Sequence, residues 1–420
     1  MTTQLGLPTP GEMLSPLAVQ KRTFKLTGWR LALVLGGLVA LLSVVRIITG
    51  AQELDSPGTI AAAIGFAIPL GMAGLGGLWS ERSGVVNIGL EGMMILGTWG
   101  AGWAGTFYGP WWGLLAGVVL GALGGLVHAV ATVTFGVDQI VSGVAINLLG
   151  LGVTQYLSTL AFPGQPTQSP QIPAISTFTI PGLSSWSQSL SDQHWFFVSD
   201  LASIVHAITE NVPYTTVIAI ALLPITYFLL WRTAFGLRLR SCGEAPYAAE
   251  SLGVNVYLHK YVAVVVSGGL AGFGGAVLAT VLSGIYREGQ TQGQGFIGLA
   301  AMIFGNWRVG GLASGSLLFG YTQAMQLRSG EAVHALMLVI VIGLVLFALW
   351  KAYRRAVTPA VGSLLVAAAV FFWYRSTDVL PDQVAYVTPY VATLLVLSLA
   401  SQRLRMPAAD GRPYIKGQEH

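Results

Sequence analysis

Long apolar runs separated by short polar breaks dominate the chain. A helix needs roughly 20 mostly apolar residues to cross a bilayer, so each long run predicts a transmembrane helix. The runs lie near 29–50, 59–79, 85–107, 112–135 and 138–161 and, after a polar stretch, near 214–231, 261–285, 296–307, 310–327, 334–350, 359–375 and 386–402. The run at 296–307 is too short for a full crossing. The pattern therefore predicts an all-α, polytopic membrane helix bundle of about 12 segments.

The composition indicates that membrane lipid is the solvent of this chain. Of its 420 residues, 54% are hydrophobic and 9% are charged, whereas about a quarter of the residues in a soluble domain are charged. The net charge of +4 comes from scattered positions, so we expect no nucleic-acid partner. The single cysteine, Cys242, excludes an intramolecular disulfide and a cysteine-based zinc site.

Basic residues set the predicted orientation, because the cytoplasmic flanks of membrane helices are enriched in lysine and arginine. With the N-terminus inside, 17 of the 21 basic residues are cytoplasmic. The four left outside are Arg46, Arg287, Arg328 and Arg375. Both tails, 1–28 and 403–420, are then predicted to be cytoplasmic, and the first apolar run is a retained anchor. The loop 162–212 faces the exterior, where it either meets a partner or solute or is an ordinary surface loop.

Two apolar stretches resemble each other and predict an internal repeat. Residues 88–99, with the sequence IGLEGMMILGTW, are echoed by 297–307, with the sequence IGLAAMIFGNW. In the predicted topology the two copies run in opposite directions, as inverted repeats around a midplane pathway do. Chance similarity between glycine-rich apolar segments is the alternative. Loop-like sequence at 80–84 and 290–295 precedes the copies, which predicts broken helices beside a substrate path.

Polar side chains inside the apolar segments are candidates for a functional role, because they are costly in lipid. Asn87, Glu91, Asn147 and Asn306 are such residues, and we assign them to a translocation pathway or gate. Hydrogen bonding between helices is the alternative for the three amides. For Glu91 the alternative is a structural role such as capping a broken helix. Asp138 opens the fifth span, where it is either solvated or caps the helix N-terminus.

The chain lacks the motifs of several enzyme classes. It has no phosphate-binding loop of the form GxxxxGK[ST], no HExxH zinc helix and no GxSxG nucleophile elbow. Its six histidines are dispersed without metal-ligand spacing. We therefore predict no catalytic residue, no metal site and no cofactor bound by this chain, and an integral membrane enzyme is the weaker class.

The stretch 232–260 interrupts the hydrophobic pattern with charged residues and must lie outside the membrane. Pro246 suits the first turn of a helix and Gly253 suits its end, so residues 246–252 predict a short helix. Such a helix can dock in a groove of another protein. An ordinary loop helix has the same composition.

These motifs together resemble a known transporter family. Residues 80–94, with the sequence SERSGVVNIGLEGMM, are similar to the signature of permease subunits of ATP-binding-cassette (ABC) importers, in the branch with ribose and branched-chain amino acid systems. Three further stretches agree: 243–255, 293–307 and 407–417. Within this branch the chain most resembles nucleoside and simple-sugar permeases.

The resemblance implies a set of partners in the plasma membrane of a prokaryote. Two permease chains, usually a related pair although two identical chains remain an alternative, form the pathway. Cytoplasmic ABC ATPases hold ATP and Mg²⁺, and an extracytoplasmic binding protein delivers the solute. The ATPase is expected to contact the cytoplasmic segment 232–260. The expected contact residues are Gly243, Glu244, Pro246, Ala248, Ala249, Leu252 and Gly253.

One part of the chain departs from the family pattern. Residues 334–375 look like a two-helix insertion between a permease core, 29–333, and a last transmembrane helix, 376–402. Two crossings return the chain to the same side, so the insertion preserves the topology. The expected function is nucleoside import by alternating access, and simple-sugar import is the nearest rival. An ion-coupled secondary carrier needs intramembrane coupling groups, and Glu91 is the only suitable residue.

Overall fold

The structure is a computed structural model that describes residues 28–328, 330–377 and 404–417, and in these ranges the chain is a bundle of α-helices. The first five helices are α1 (Gly28–Thr49), α2 (Pro57–Arg82), α3 (Leu90–Tyr108), α4 (Pro110–Ala129) and α5 (Gln139–Ala161). The next five are α6 (Leu183–Ser191), α7 (Val198–Ala207), α8 (Tyr214–Arg232), α9 (Ala234–Glu244) and α10 (Pro246–Ser251). The last five are α11 (Val256–Val277), α12 (Gln294–Phe304), α13 (Val309–Gln326), α14 (Gly330–Tyr353) and α15 (Val357–Ser376).

Seven helices of the described ranges are long and apolar enough to cross a membrane. Four of them are α5, α8, α14 and α15. The other three are α2, α4 and α11 together with adjoining turns, which gives the spans Gln52–Arg82, Pro110–Thr134 and Val256–Ser283. A helical membrane bundle is thereby confirmed, while the count of about 12 segments and the side of each terminus remain predictions. The predicted tail 1–28, apart from its last residue, and most of the predicted helix 376–402 lie outside the described residues.

The predicted partial crossing is a short helix in the structure. Helix α12 has 11 residues, which at 1.5 Å per residue span about 16 Å, or half of the hydrocarbon core. The first repeat copy is also interrupted, because residues 83–89 are not helical and α3 begins only at Leu90. Both copies therefore consist of irregular backbone followed by a helix, as the loop-like sequence before them predicts.

The centre of the bundle is built from α2, α3, α4 and α11. Helices α4 and α11 cross at glycines: a Cβ atom on Gly121 would lie 2.4 Å from the carbonyl oxygen of Gly268, and a Cβ atom on Gly268 would lie 2.3 Å from that of Gly121. No side chain fits between the two backbones there. Close approach through small residues is the usual way for helices to associate in lipid, where the hydrophobic effect does not drive them together.

The loop 162–212, which is predicted to face the exterior, is folded against the bundle. It contains α6 and α7 and a two-stranded antiparallel ribbon, β1 (Thr177–Phe178) and β2 (Val212–Pro213), in which Thr177 pairs with Pro213 and Phe178 with Val212. Arg46 of α1 is buried and forms ion pairs with Asp200 of α7 at 3.2 Å and with Asp55 at 3.5 Å. A buried charge needs such partners, so this trio anchors the loop to α1.

Two further sequence predictions can be compared directly with the structure. Asp138 caps α5, since its Oδ1 accepts hydrogen bonds from the backbone N–H groups of Ile140 at 2.9 Å and Val141 at 3.0 Å. The predicted two-helix segment 334–375 consists of α14 and α15, which pack on each other as a hairpin. Its interpretation as an insertion stays a prediction.

Candidate functional site

The N-termini of α3 and α12 meet at the side chain of Glu91. One carboxylate oxygen of Glu91, Oε1, accepts hydrogen bonds from the Thr291 hydroxyl at 2.6 Å and from the Gly293 N–H at 2.9 Å. The other oxygen, Oε2, accepts from the Gly295 N–H at 2.7 Å. Because Glu91 itself lies in the first turn of α3, its buried carboxylate places a negative charge between the first turns of both helices.

The chemistry of helix ends explains this arrangement. The first N–H groups of a helix have no partner within the helix, and the aligned peptide dipoles leave partial positive charge there. Two such ends facing each other inside a membrane would repel, and their N–H groups cannot bond to water. Gly293 adopts φ +80°, and a Cβ atom on Gly295 would lie 2.6 Å from Glu91 Cα. The glycines therefore let the second loop reach the carboxylate.

Asn147 of α5 completes the same junction. Its Oδ1 accepts a hydrogen bond from the Gly92 N–H at 2.7 Å, and its Nδ2 donates to the carbonyl oxygen of Ile88 at 3.2 Å. The amide thus caps α3 and holds the irregular segment before it. We call Glu91, Asn147, Thr291, Gly293 and Gly295 the Glu91 junction.

Asn87 lies beside this junction and is fully buried. Its Nδ2 donates to the hydroxyl of Ser267 in α11 at 2.9 Å, while its Oδ1 has no hydrogen-bond partner among the described residues. The structure therefore brings Asn87, Glu91 and Asn147 together. It uses each of these three side chains to join segments that are distant in sequence.

Asn306 lies elsewhere, at the opposite end of α12. It has φ +54°, and its Oδ1 accepts a hydrogen bond from the backbone N–H of Arg405 at 2.7 Å. The adjacent Trp307 donates from Nε1 to Glu81 Oε2 at 2.5 Å, and its carbonyl oxygen accepts from Arg82 Nη2 at 2.6 Å. The ends of α2 and α12 are therefore tied together about 16 Å from the Glu91 junction.

The predicted short helix is observed as α10, from Pro246 to Ser251, with Leu252 as its C-cap. Pro246 and Ala249 are buried, whereas Ala248 is exposed and Leu252 is 85% exposed. Gly253 follows with φ +81°, the left-handed conformation that ends the helix. One side of α10 is thus seated on the protein and the other side is open.

The two remaining residues of the predicted contact set end helix α9. Gly243 packs against the turn after α2, where a Cβ atom on it would lie 2.4 Å from the Arg82 carbonyl oxygen. The exposed Glu244 carboxylate accepts a hydrogen bond from the Ala408 N–H at 3.2 Å and lies 3.9 Å from Arg82 Nη1. The structure thus places the seven residues in one continuous segment, and their role as an ATPase contact stays a prediction.

Sequence reasoning missed several residues around these sites. Glu81 is 4% exposed at the end of α2, and Tyr414 of the C-terminal tail is buried against α10 and α11. On the outer side of the Glu91 junction, Phe296 and Gln292 are exposed. The adjacent Glu81-Arg82 pair at the end of an apolar run was a signal for the first residue. No local signal marks the other three.

Comparison with known proteins supports a transport role. The family described as branched-chain amino acid transport system / permease component matches residues 59–350. The guanosine ABC transporter permease protein NupQ of Bacillus subtilis is 36% identical over 366 residues, which cover 86% of this chain and 97% of NupQ. The nucleoside ABC transporter permease protein NupC of Lactococcus lactis is 32% identical over 361 residues, which cover 84% and 95% of the two chains.

The name of a third relative gives a different solute. The putative glucose ABC transporter permease protein TsgC13 of Haloferax volcanii is 32% identical over 281 residues, which cover 66% of this chain and 80% of TsgC13. No solved structure matches the chain. These similarities confirm the resemblance to ABC importer permeases, and with seven apolar helices they indicate a multi-pass protein of a prokaryotic plasma membrane. The chain belongs to the permease family of branched-chain amino acid transport systems.

Proposed function

We propose that this chain is the permease subunit of an ABC importer that moves nucleosides inward by alternating access. The observation that carries the transport role is the Glu91 junction, where two interrupted helices meet N-terminus to N-terminus inside the bundle. Transporters bind solute at such breaks, because irregular backbone at membrane depth needs a protein-lined or water-filled surrounding. The nucleoside assignment rests on the names of NupQ and NupC.

The opposite directions of α3 and α12 support an inverted repeat. Helix α3 leaves the junction toward the exterior loop, since Gly105 packs on Ile172 of that loop. Helix α12 leaves it toward the turn at Arg82, which contacts Trp307. Two related halves of opposed direction fit about 12 crossings with both termini in the cytoplasm.

The solute path is proposed to run along the open side of the Glu91 junction. Glu91, Asn147 and Asn87 shape that side by holding the two loops, and Asn306 holds the cytoplasmic end of α12. Phe296 presents an exposed ring and Gln292 an exposed amide beside the junction. An aromatic face and an amide suit an uncharged nucleobase with hydrogen-bonding edges.

A second, related permease chain is proposed to close this path. Helix α5 packs on α3 through Gly150 and on the segment before α3 through Gly143, and it exposes large apolar side chains on its other sides. The irregular backbone of the neighbouring loop, which carries the exposed Gln292, would be costly against lipid. A partner chain or a water-filled path beside α5 removes that cost. Both a heterodimer and a homodimer satisfy this argument.

Coupling to ATP is proposed to occur at the open side of α10. Ala248 and Leu252 face outward there, while Pro246 and Ala249 seat the helix. A short helix with one apolar open face fits the groove-docking mode of protein recognition. The partner ATPase holds ATP and Mg²⁺, and a binding protein delivers solute at the exterior loop.

The test is uptake of labelled guanosine, with labelled glucose and ribose as competing solutes, into vesicles that contain this chain. The chain is assayed alone and with its ATPase, partner permease and binding protein, with ATP supplied or withheld. Guanosine uptake that needs the full set and ATP supports the proposal. Preference for a sugar favours the function in the name of TsgC13, and ATP-independent uptake by the chain alone favours a secondary carrier.

A further inference from the structure

The C-terminal tail, residues 404–417, lies against the cytoplasmic segment that contains α9 and α10. The backbone N–H of Ala409 donates to the carbonyl oxygen of Gly243 at 2.9 Å. The ring of Tyr414 lies 5.3 Å from that of Tyr247 and 5.4 Å from that of Tyr257, measured between centroids. We call residues 404–417 the C-terminal strap.

The strap also reaches the cytoplasmic ends of α2 and α12. Its Arg405 N–H donates to the Asn306 side chain just after α12. The Ala409 carbonyl oxygen lies close to Gly84, just after α2, since a Cβ atom on that glycine would be 3.3 Å away. One segment of 14 residues thus contacts α10 and both turns.

A carboxyl pair fixes the middle of the strap. The carboxyl group of Asp410 faces that of Glu81, which accepts a hydrogen bond from Trp307 Nε1. Two carboxyl groups can hydrogen-bond only when one of them holds a proton. Burial raises the pKa of the Asp410 carboxyl to about 7, and the charges of Lys260 and Arg82 act in the opposite direction.

We propose that the C-terminal strap positions α10 and carries its displacement to the helix ends that lead to the Glu91 junction. This inference rests on the proposed function, because it assigns a task to the strap during ATP-driven transport. Among the described helices, α10 packs on α9 and α11. The strap supplies a second route, in which Tyr414 holds α10, Asp410 holds α2 through Glu81, and Arg405 holds the turn after α12.

The strap connects α10 to α2 and α12 by a route separate from the packing of α10 on α9 and α11. A force on α10 is transmitted only through groups that keep their contacts while they move. Tyr414 is buried against the rings of Tyr247 and Tyr257, and Asp410 is half-buried and faces Glu81. Loss of either contact breaks the route through the strap from α10 to α2 and α12 without removing the surface on which the ATPase docks.

The first experiment compares Tyr414→Ala with Tyr414→Phe in the complete complex reconstituted in liposomes. ATP hydrolysis and guanosine uptake are measured on the same sample. For Tyr414→Ala we expect guanosine uptake per ATP to fall about tenfold while hydrolysis stays within about twofold, and Tyr414→Phe to restore the ratio. An unchanged ratio, or a parallel loss of hydrolysis and uptake, overturns the proposal.

The second experiment does not depend on transport. Cys242 is the only cysteine of the chain, and it is buried in one cluster with Ala249, Val256 and Tyr414. The rate of its modification by N-ethylmaleimide in the assembled complex reports whether the strap is docked. We expect labelling to be about tenfold faster in Tyr414→Ala and unchanged in Tyr414→Phe.

A matched control separates docking of the strap from docking of the ATPase. Leu252→Ala removes an exposed side chain of α10 that the strap does not cover, so we expect slow labelling of Cys242 in this variant. Slow labelling in Tyr414→Ala overturns the strap proposal. Absence of ATP-dependent guanosine uptake by the wild-type complex, with labelling as expected, instead overturns the proposed function alone.

Discussion

The carboxylate of Glu91 accepts a hydrogen bond at 2.7 Å from the backbone N–H of Gly295, joining the first turn of α3 to the first turn of α12. The two residues are distant in sequence, and the carboxylate supplies the acceptors for N–H groups at the start of α12, while Asn147 supplies one for α3. In the interior of a membrane protein no water replaces a missing partner. The junction is therefore both a structural joint and the place where the two halves of the permease can be expected to respond to each other.

Substitution of Glu91 by Gln should weaken the junction. Glutamine keeps one acceptor oxygen but places an NH₂ group against backbone donors, so we expect a loss of about 1.5–3 kcal/mol in the free energy of unfolding. Thermal unfolding in detergent measures this loss of stability. Asp138→Asn is the matched control, because it changes an exposed capping carboxylate to an amide that caps equally well. Equal melting temperatures for Glu91→Gln and wild type would contradict the prediction.

Gly295 should not tolerate a methyl group. Its added Cβ atom would meet backbone and side-chain atoms of Glu91 at 2.6 to 2.8 Å. Overpacking of this kind costs about 1–3 kcal/mol, so Gly295→Ala is expected to lower the melting temperature and the uptake rate. Gly343→Ala in α14 is the control, since a Cβ atom there has no neighbour within 4 Å. A melting temperature of Gly295→Ala at or above that of Gly343→Ala would contradict the close packing of Gly295 on Glu91.

Phe296 is expected to affect solute recognition. In nucleic-acid binding proteins, the stacking of one base on an aromatic side chain contributes about 1–3 kcal/mol to the binding free energy. Phe296→Ala should therefore raise the KM for guanosine uptake about tenfold or more. Phe296→Tyr should retain most of the affinity. Phe371→Ala on α15 serves as control, because Phe296 and Phe371 are both 45% exposed. An equal KM in the Phe296→Ala and Phe371→Ala variants argues against stacking.

Leu252 is expected to be central to ATPase docking. A negative charge in the middle of an apolar contact disfavours binding, so Leu252→Glu should reduce copurification of the ATPase about tenfold or more. The fold should remain intact, because the side chain is open to solvent. Leu237→Glu on the preceding helix α9 is the control, as Leu237 is also exposed. If both variants still copurify with the ATPase, α10 is not part of the interface with the ATPase.

Docking of the C-terminal strap should weaken as the pH rises. Burial raises the pKa of Asp410 from 3.8 to about 7, so the docked form binds a proton that the free strap releases. Docking is then strongest below about pH 4, declines up to about pH 7 and is constant above it, which makes it about tenfold weaker at pH 8 than at pH 6.

The labelling rate of Cys242 measures this dependence. Each rate must be compared with that of Asp410→Asn at the same pH, because the thiol itself titrates. The titratable and charged groups that face Asp410 are Glu81, Arg82 and Lys260. The ratio of wild-type to Asp410→Asn labelling should rise between pH 6 and pH 8. A constant ratio would exclude Asp410 as the titrating group.

Much of the architecture followed from patterns that act over short distances. Apolar runs predicted the membrane helices, and glycine and polar residues at 80–84 and 290–295 predicted the two interruptions. The short helix α10 followed from Pro246 and Gly253, whose local backbone preferences do not depend on the rest of the fold.

The roles of individual polar residues could be predicted less well from the sequence. Sequence analysis grouped Asn306 with Asn87, Glu91 and Asn147, but the structure places it at the other end of α12. The bonds of Asn87 to Ser267 and of Glu91 to Gly295 join residues from different halves of the chain. Such pairings depend on tertiary packing, which no local pattern encodes. Docking of the strap is of the same kind.

The glycine crossing between Gly121 and Gly268 limits how the molecule can change shape. Two backbones in direct contact cannot slide or tilt without a clash, so α4 and α11 are expected to move as one body. Further glycine contacts join α11 to α3 at Gly275 and to α2 at Gly76. Alternating access would then be a rotation of this rigid group of helices, and the loops around Glu91 would be the parts that change conformation.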